Sequence, residues 1–168
     1  MILVTGAGGF IGSNLCARLN DAVPLDRSYD ITDPACFDNL SLQPKIVVHL
    51  AGYIEINLDA DRENIWKIYD VNLMGTVNVL GYCLKAEVKH LIFASSQAVY
   101  GMPMSRPLQE DSPCKPIEHY ANSKLCAEQV LRTCWGVKTT ILRFPGVYSE
   151  KRKSGIVYNF MKQALNEK

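Results

Sequence analysis

Tyr120 and Lys124 stand four residues apart at the start of a helical pattern, so their side chains share one face and reach one ligand. A free tyrosine titrates near pH ~10, too high for a base at neutral pH, and each unit of lowering is worth about 1.4 kcal/mol. Nearby positive charge favours the phenolate and lowers that value by roughly 1–3 units. Upstream, the apolar run His90–Ala94 ends in Ser95-Ser96-Gln97-Ala98-Val99-Tyr100-Gly101. A serine at the end of a parallel strand stands where ligands bind in open sheets. Serine, tyrosine and lysine in this order make an alcohol–ketone proton-transfer set. Y-x-x-x-K alone is a frequent accident on helices, so it needs a cofactor site beside it.

That site is announced at the other end of the chain. Ile2-Leu3-Val4-Thr5 runs into Gly6-Ala7-Gly8-Gly9-Phe10-Ile11-Gly12, which fits T-G-x-x-G-x-x-G but not G-x-G-x-x-G. Gly6 allows a tight turn out of the strand, Gly9 lets backbone approach a pyrophosphate, and Gly12 lets the helix lie close. The helix start offers unpaired N–H groups and a positive dipole end to phosphate. Asp26 follows Gly6 by about 20 residues, the spacing of an acid that holds adenosine ribose hydroxyls. An acid there repels a 2′-phosphate and favours NAD; Arg27, next in line, leaves NADP as the alternative. Asp30–Asp33 borders the adenine or, with Asp33 ahead of Pro34, simply caps a helix.

The elements that must position these residues alternate. Strands are expected at Ile2–Thr5, Ala22–Leu25, Ile46–Leu50, His90–Ala94 and Thr139–Leu142, and helices at Phe10–Leu19, from about Asp59 to Ala86, at Tyr120–Trp135 and at Ile156–Leu165. Alternation of this kind predicts an α/β Rossmann-type doubly wound parallel sheet. The expected division is a dinucleotide-binding domain over 1–150, followed by a C-terminal helix or the start of a further lobe over 151–168. Pro103, Pro107, Pro113 and Pro116 mark a long irregular connector, a common place for functional loops.

Composition narrows the rest. The 168 residues are 48% hydrophobic and 21% charged, and the net charge is +1. This length holds one domain with a sizeable core, and the charge balance gives no reason to expect nucleic acid or an anionic membrane. No run is long enough to span a bilayer, and no signal-peptide pattern opens the chain. The scattered Cys16, Cys36, Cys83, Cys114, Cys126 and Cys134 form no metal-ligand spacing, so no metal is expected and a reducing cytoplasmic setting fits best.

Across Thr5–Gly12, His49-Leu50-Ala51-Gly52, Val71-Asn72 with Gly75-Thr76, Ser95–Gly101, Tyr120–Lys124 and Arg143–Tyr148, the chain resembles the extended short-chain dehydrogenase/reductase family, specifically its NAD-dependent nucleotide-sugar epimerase/dehydratase group. The resemblance implies Tyr120 as acid/base, Lys124 as holder of the nicotinamide ribose, and Ser96 as hydrogen-bond partner of the substrate oxygen. It also implies cofactor contacts from Gly6, Gly9, Phe10, Ile11, Gly12, Asp26, Arg27, Ala51, Gly52, Tyr120, Lys124 and Pro145. It further implies a homodimer through the 59–86 and 120–135 helices. Asn72 and Thr76 read as structural ties of the long helix, and Gly75 as a close packing contact.

Three departures from the group matter. Gln97 and Ala98 occupy the places of the Asp-Glu pair that drives elimination in sugar dehydratases. Gly146 replaces an Asn of the motif R-x-x-N-V-Y-G-P that helps bind nucleotide-sugars. Most of the substrate-binding lobe of the group has no counterpart before Lys168, so a piece of a longer chain and a naturally short protein are both open. The resulting expectation is an enzyme acting on a sugar or nucleotide-sugar, an epimerase first. The alternatives are a sugar reductase, or a dinucleotide-binding module without turnover.

Overall fold

The computed structural model describes residues 1–38, 40–55, 61–102, 107–150, 152–153 and 155–166. Five strands, β1 (Ile2–Thr5), β2 (Ala22–Leu25), β3 (Ile46–His49), β4 (His90–Ser96) and β5 (Lys138–Phe144), form one parallel sheet in the order β2-β1-β3-β4-β5. The chain first builds outward from β1 to β2 and then crosses to β3, so the order reverses between β1 and β3. Such a switch point opens a crevice at the C-terminal ends of the strands. Thr5 pairs with both Leu25 and His49, which sets one level rim to that crevice. His49 pairs with Phe93, whereas β4 runs past that level through Ser96, which is paired with Phe144 of β5. Ser96 therefore stands above the rim.

The helices are α1 (Phe10–Cys16), α2 (Arg62–Tyr69), α3 (Gly75–Lys85), α4 (His119–Arg132) and α5 (Ile156–Asn166). Strands β1 and β2 have the expected bounds, β3 stops one residue early, and β4 and β5 are longer than their apolar runs. Helix α1 ends three residues before Leu19, because Arg18 and Leu19 donate to Leu15 and Cys16 in tight turns instead of continuing the helix. The expected long helix from Asp59 is two helices joined by a π-helical turn, Asp70–Met74; Asp59 and Ala60 themselves lie outside the described residues. A π turn inserts one extra residue and re-aims the side chains it carries. Asp33 caps a short 3-10 turn, Pro34–Phe37, by accepting from Ala35 N, as an Asp-Pro start does.

The main core lies on the α3–α4 side of the sheet, where Leu3, Val47, Leu91 and Phe93 meet Val79, Cys83 and Leu131, all fully buried. Val4, Ala7 and Val48 pack under α1 on the other side. Burial on both faces explains why β1 and β3 read as apolar throughout. Gly75 sits where an added Cβ would come within 2.6 Å of Ile31, so the expected close contact is with the segment after β2. Pro103–Arg106 of the long connector lie outside the described residues; 107–118 contain no helix or strand. Among the described residues no helix is long and apolar enough to cross a membrane.

Candidate active site

The glycine turn is built by backbone contact. Gly6 adopts φ +69°, which side-chain-bearing residues rarely adopt, and a Cβ there would lie 2.5 Å from Ala51 N. A Cβ on Gly12 would lie 2.3 Å from Gly6 O, so Gly12 lets α1 close on the turn itself rather than on the sheet. Gly9 is the N-cap residue of α1 and offers no side-chain acceptor, which leaves first-turn N–H groups to a ligand. Above this turn lies a crevice of about 440 Å³ whose lining includes Gly6, Gly9, Asp26, Arg27, Ala51 and Gly52. Six of the expected cofactor contacts thus meet in one place. Asp26 Oδ1 accepts from Ser28 N (2.9 Å) and Oγ (2.7 Å). Those bonds hold its carboxyl below the usual range, so it is ionised at neutral pH.

A buried polar chain ties this crevice to α4. Thr76 Oγ1 donates to Asn72 O at 2.7 Å, so it accepts from His49 Nε2 at 3.0 Å. His49 Nδ1 then accepts from Thr5 Oγ1 (2.6 Å), which itself accepts from Ala51 N (3.3 Å). Only the neutral Nε2–H tautomer satisfies every link. Burial and the charge of Lys124 hold His49 down to about 3, which agrees. The π turn buries Asn72, whose Oδ1 accepts from Tyr53 N (2.8 Å) and whose Nδ2 donates to Tyr53 O (2.8 Å) and Ser123 Oγ (3.0 Å). Ser123 donates to Tyr120 O at 2.7 Å. The ends of β1 and β3 are thereby locked to the turn that carries Tyr120. Sequence reasoning assigns no role to His49, Ser123 or Tyr53; a histidine inside an apolar strand is the available signal.

At the end of this chain Tyr120 stands near Ser96, with Lys124 one turn further along α4. The Ser96 hydroxyl is close enough to the Tyr120 phenol to lower its pKa, and Ser96 Oγ accepts from Ala98 N at 3.2 Å. Ser95 points the other way and donates to Glu128 Oε1 at 2.6 Å. Lys124 is 4% exposed; its Nζ lies 4.8 Å from the Phe93 ring centroid and 3.1 Å from where a Gly52 Cβ would sit. The bare backbone of Gly52 is what separates the ammonium from the crevice. Burial pushes Tyr120 above the ordinary phenol range, the Ser96 bond pulls it down, and the Glu118 carboxylate pushes it up. Lys124 is not among these causes, and the expected lowering needs a cationic nicotinamide ring as well as the ammonium. The ammonium sits over Phe93 and beneath Gly52, and the phenol stays protonated in the free chain.

Lys124 is held down to about 8 by burial. Below that pH the amine is charged in both folded and unfolded chains, and the folded state carries the whole desolvation cost. Between about 8 and 10.5 the folded chain has released its proton and the unfolded chain has not, so stability climbs with pH across that window. Lys124→Met is expected to stabilise the free protein by about 2–3 kcal/mol at pH 7, with the gain shrinking towards pH 10 in denaturant titrations. Equal stability of the two proteins at pH 7 would show that the ammonium is not desolvated.

Phe10, Ile11 and Gly12 form the first turn of α1, so the N–H groups left to a ligand above the glycine turn are theirs, and Arg152 lies over the Phe10 ring at 5.2 Å. Pro145 is exposed and lines a separate cavity along β5 with Phe144 and Leu142, so the structure does not bring it to the crevice. Its strand is the sheet edge, and the chain beyond it returns to α1, where Arg152 lies over Phe10. The structure also shows a buried ion pair that sequence reasoning missed. Glu128 on α4 takes Arg143 Nε at 2.9 Å and Nη2 at 2.7 Å, and Arg143 Nη1 donates to Tyr100 Oη (2.8 Å) and Glu110 O (3.0 Å). No cluster of metal-ligating side chains occurs among the described residues.

Comparison with known proteins agrees with this geometry. Residues 2–168 match the NAD dependent epimerase/dehydratase family. The chain is 36% identical to an N-acetyl-alpha-D-glucosaminyl-diphospho-ditrans,octacis-undecaprenol 4-epimerase of Escherichia coli O157:H7, over 99% of this chain and 54% of that protein. It is 33% identical to a UDP-glucose 4-epimerase of Azospirillum brasilense, over 85% of this chain and 48% of the relative. The crystal structure of UDP-glucose 4-epimerase from Brucella ovis in complex with NAD superposes with a TM-score of 0.74 at 28% identity, over 84% of this chain and 50% of the other. The chain spans about half the length of these relatives. It belongs to the NAD-dependent epimerase/dehydratase family.

Proposed function

We propose that the crevice above the glycine turn binds NAD and that Tyr120, Ser96 and Lys124 carry out the proton transfers of a nucleotide-sugar epimerase. The observation that carries this reading is the meeting of Ser96 and Tyr120 above the rim with Lys124 just behind Gly52, where the crevice ends. The residues fit a dinucleotide. Gly6 and Gly9 leave room for a pyrophosphate, ionised Asp26 can take ribose hydroxyls, and the buried Lys124 ammonium has no hydrogen-bond acceptor among the described residues. A bound nicotinamide would supply the hydride acceptor and donor for the sugar carbon.

The chain's own residues do the rest. Tyr120 takes the proton of the sugar hydroxyl and later gives it back, and Ser96 hydrogen-bonds the same oxygen. Lys124 would hold the ribose, and its charge together with that of a cationic nicotinamide ring would favour the phenolate against the burial that opposes it. Gln97 and Ala98 cannot exchange protons, which supports epimerisation over elimination. The exposed Trp66 of α2 supports pairing of two copies through that helix. The share of its relatives' length that the chain spans favours a second reading: NAD binding without turnover by these 168 residues alone.

Calorimetry with NAD and NADP, followed by incubation with NAD and UDP-galactose under NMR detection, tests these readings. NAD is expected to bind about tenfold or more tightly than NADP, because the ionised Asp26 carboxylate in the crevice would repel a 2′-phosphate. Tighter NADP binding would overturn the role of Asp26. Formation of UDP-glucose supports the epimerase, and NAD binding without product supports the second reading.

A further inference from the structure

We propose that Lys67 supplies the cation that neutralises the pyrophosphate of the bound dinucleotide, an assignment that rests on the cofactor reading above. The charge balance of the crevice requires such a group. A pyrophosphate brings two negative charges, and the lining already holds the carboxylates of Asp26 and Asp30. The segment from Thr5 to Ser13 that cradles the phosphates contains no lysine or arginine, and α1 is only seven residues long. Two cations line the crevice, Arg27 and Lys67. Arg27 directly follows Asp26 at the end of β2, on the adenosine side. Lys67 comes from the last turn of α2, on the wall that follows β3, across from the glycine turn.

The ammonium is held in place without being neutralised. Lys67 Nζ lies 4.6 Å from the centroid of the Tyr53 ring. That ring cannot drift, because Asn72 grips the Tyr53 backbone on both sides at 2.8 Å and the Tyr53 hydroxyl donates to Asn64 Oδ1 at 3.2 Å. An aromatic face orients a cation and leaves its charge available. Lys85, by contrast, is paired with Asp38, and Arg143 with Glu128, whereas no carboxylate among the described residues lies within ion-pair distance of Lys67. A preset, unneutralised ammonium facing a phosphate cradle is a pyrophosphate contact. The diphosphate of a nucleotide-sugar has the same chemistry, but Lys67 shares its crevice with Gly6, Gly8, Gly9 and Asp26, which favours the dinucleotide.

The test is calorimetry on the full chain with three probes: NAD, the uncharged nucleoside adenosine, and UDP. Lys67→Met is expected to weaken NAD binding about tenfold or more, to leave adenosine and UDP unchanged, and to flatten the salt dependence of NAD affinity. Lys67→Arg is expected to keep affinity near wild type. Unchanged NAD affinity in Lys67→Met, a parallel loss of adenosine, or a loss confined to UDP would each overturn the assignment. A wild-type chain that does not bind NAD would remove the cofactor reading itself, an outcome visible before any substitution is made. Lys67 is exposed and outside the core, and retained adenosine binding verifies that the variant is folded.

Discussion

Tyr120→Phe is expected to lower epimerase turnover by about 10²–10⁴-fold, the range that a positioned acid/base contributes, while NAD affinity stays within about twofold. The phenol ring keeps its place because what fixes that turn of α4 is backbone: Ser123 donates to Tyr120 O, and Asn72 holds Ser123. Only the hydroxyl beside Ser96 is lost. Turnover is read with NAD and nucleotide-sugar, and affinity by calorimetry on the same samples. Retained turnover would assign the proton transfer elsewhere. The pH profile adds a second readout. Burial and Glu118 both push the phenol up, so activity limited by the phenolate should rise with pH.

The largest loss of stability is expected from Glu128→Ala. Glu128 is fully buried. Burial alone would raise its carboxyl, but the Arg143 and Ser95 hydrogen bonds and the charges of Arg143 and Arg132 outweigh that and hold it below the ordinary range. The pair joins α4, β5, β4 and, through Arg143, the backbone of Glu110 in the connector. Removing the carboxylate strands the Arg143 guanidinium, whose side chain is only 14% exposed, at a cost of about 3–5 kcal/mol. For a domain of this size that corresponds to a melting point lower by roughly 10 °C. The double variant Glu128→Leu/Arg143→Met should recover much of the loss, because an apolar pair leaves no buried charge. A single variant that melts within 2 °C of wild type, roughly 1 kcal/mol or less, would show that the pair is solvated.

Much of this arrangement was legible in the sequence, for reasons that differ by element. Strands β1 and β2 are short apolar or β-branched runs bounded by turn residues, and their bounds in the structure are those the runs predict. The glycine spacing located the crevice because two of its positions tolerate no Cβ at all. Asp33 before Pro34 read as a cap because that chemistry is local. Other features needed the third dimension. Nothing in the spacing of Tyr69, Asn72 and Thr76 announces a π turn, since the same spacing fits one continuous α-helix. Ser95 and Ser96 differ only in which side of β4 they occupy, and alternation along that strand sends Ser95 to Glu128 and Ser96 to Tyr120. The acidity of Tyr120 depends on depth, which spacing does not report. Pro145 follows an edge strand, and its position reflects the path taken after Phe144 rather than its motif.

Co-crystals of the chain with NAD give the most direct measurement of the central claim. The pyrophosphate should rest on the α1 start at Gly9, with ribose hydroxyls on Asp26 Oδ2. The reactive nicotinamide carbon should lie close enough to the Tyr120 hydroxyl for a sugar carbon and its oxygen to bridge them at near-attack distances of about 3–3.5 Å. A dinucleotide bound elsewhere, or one whose ring points away from Tyr120 and Lys124, would contradict the account.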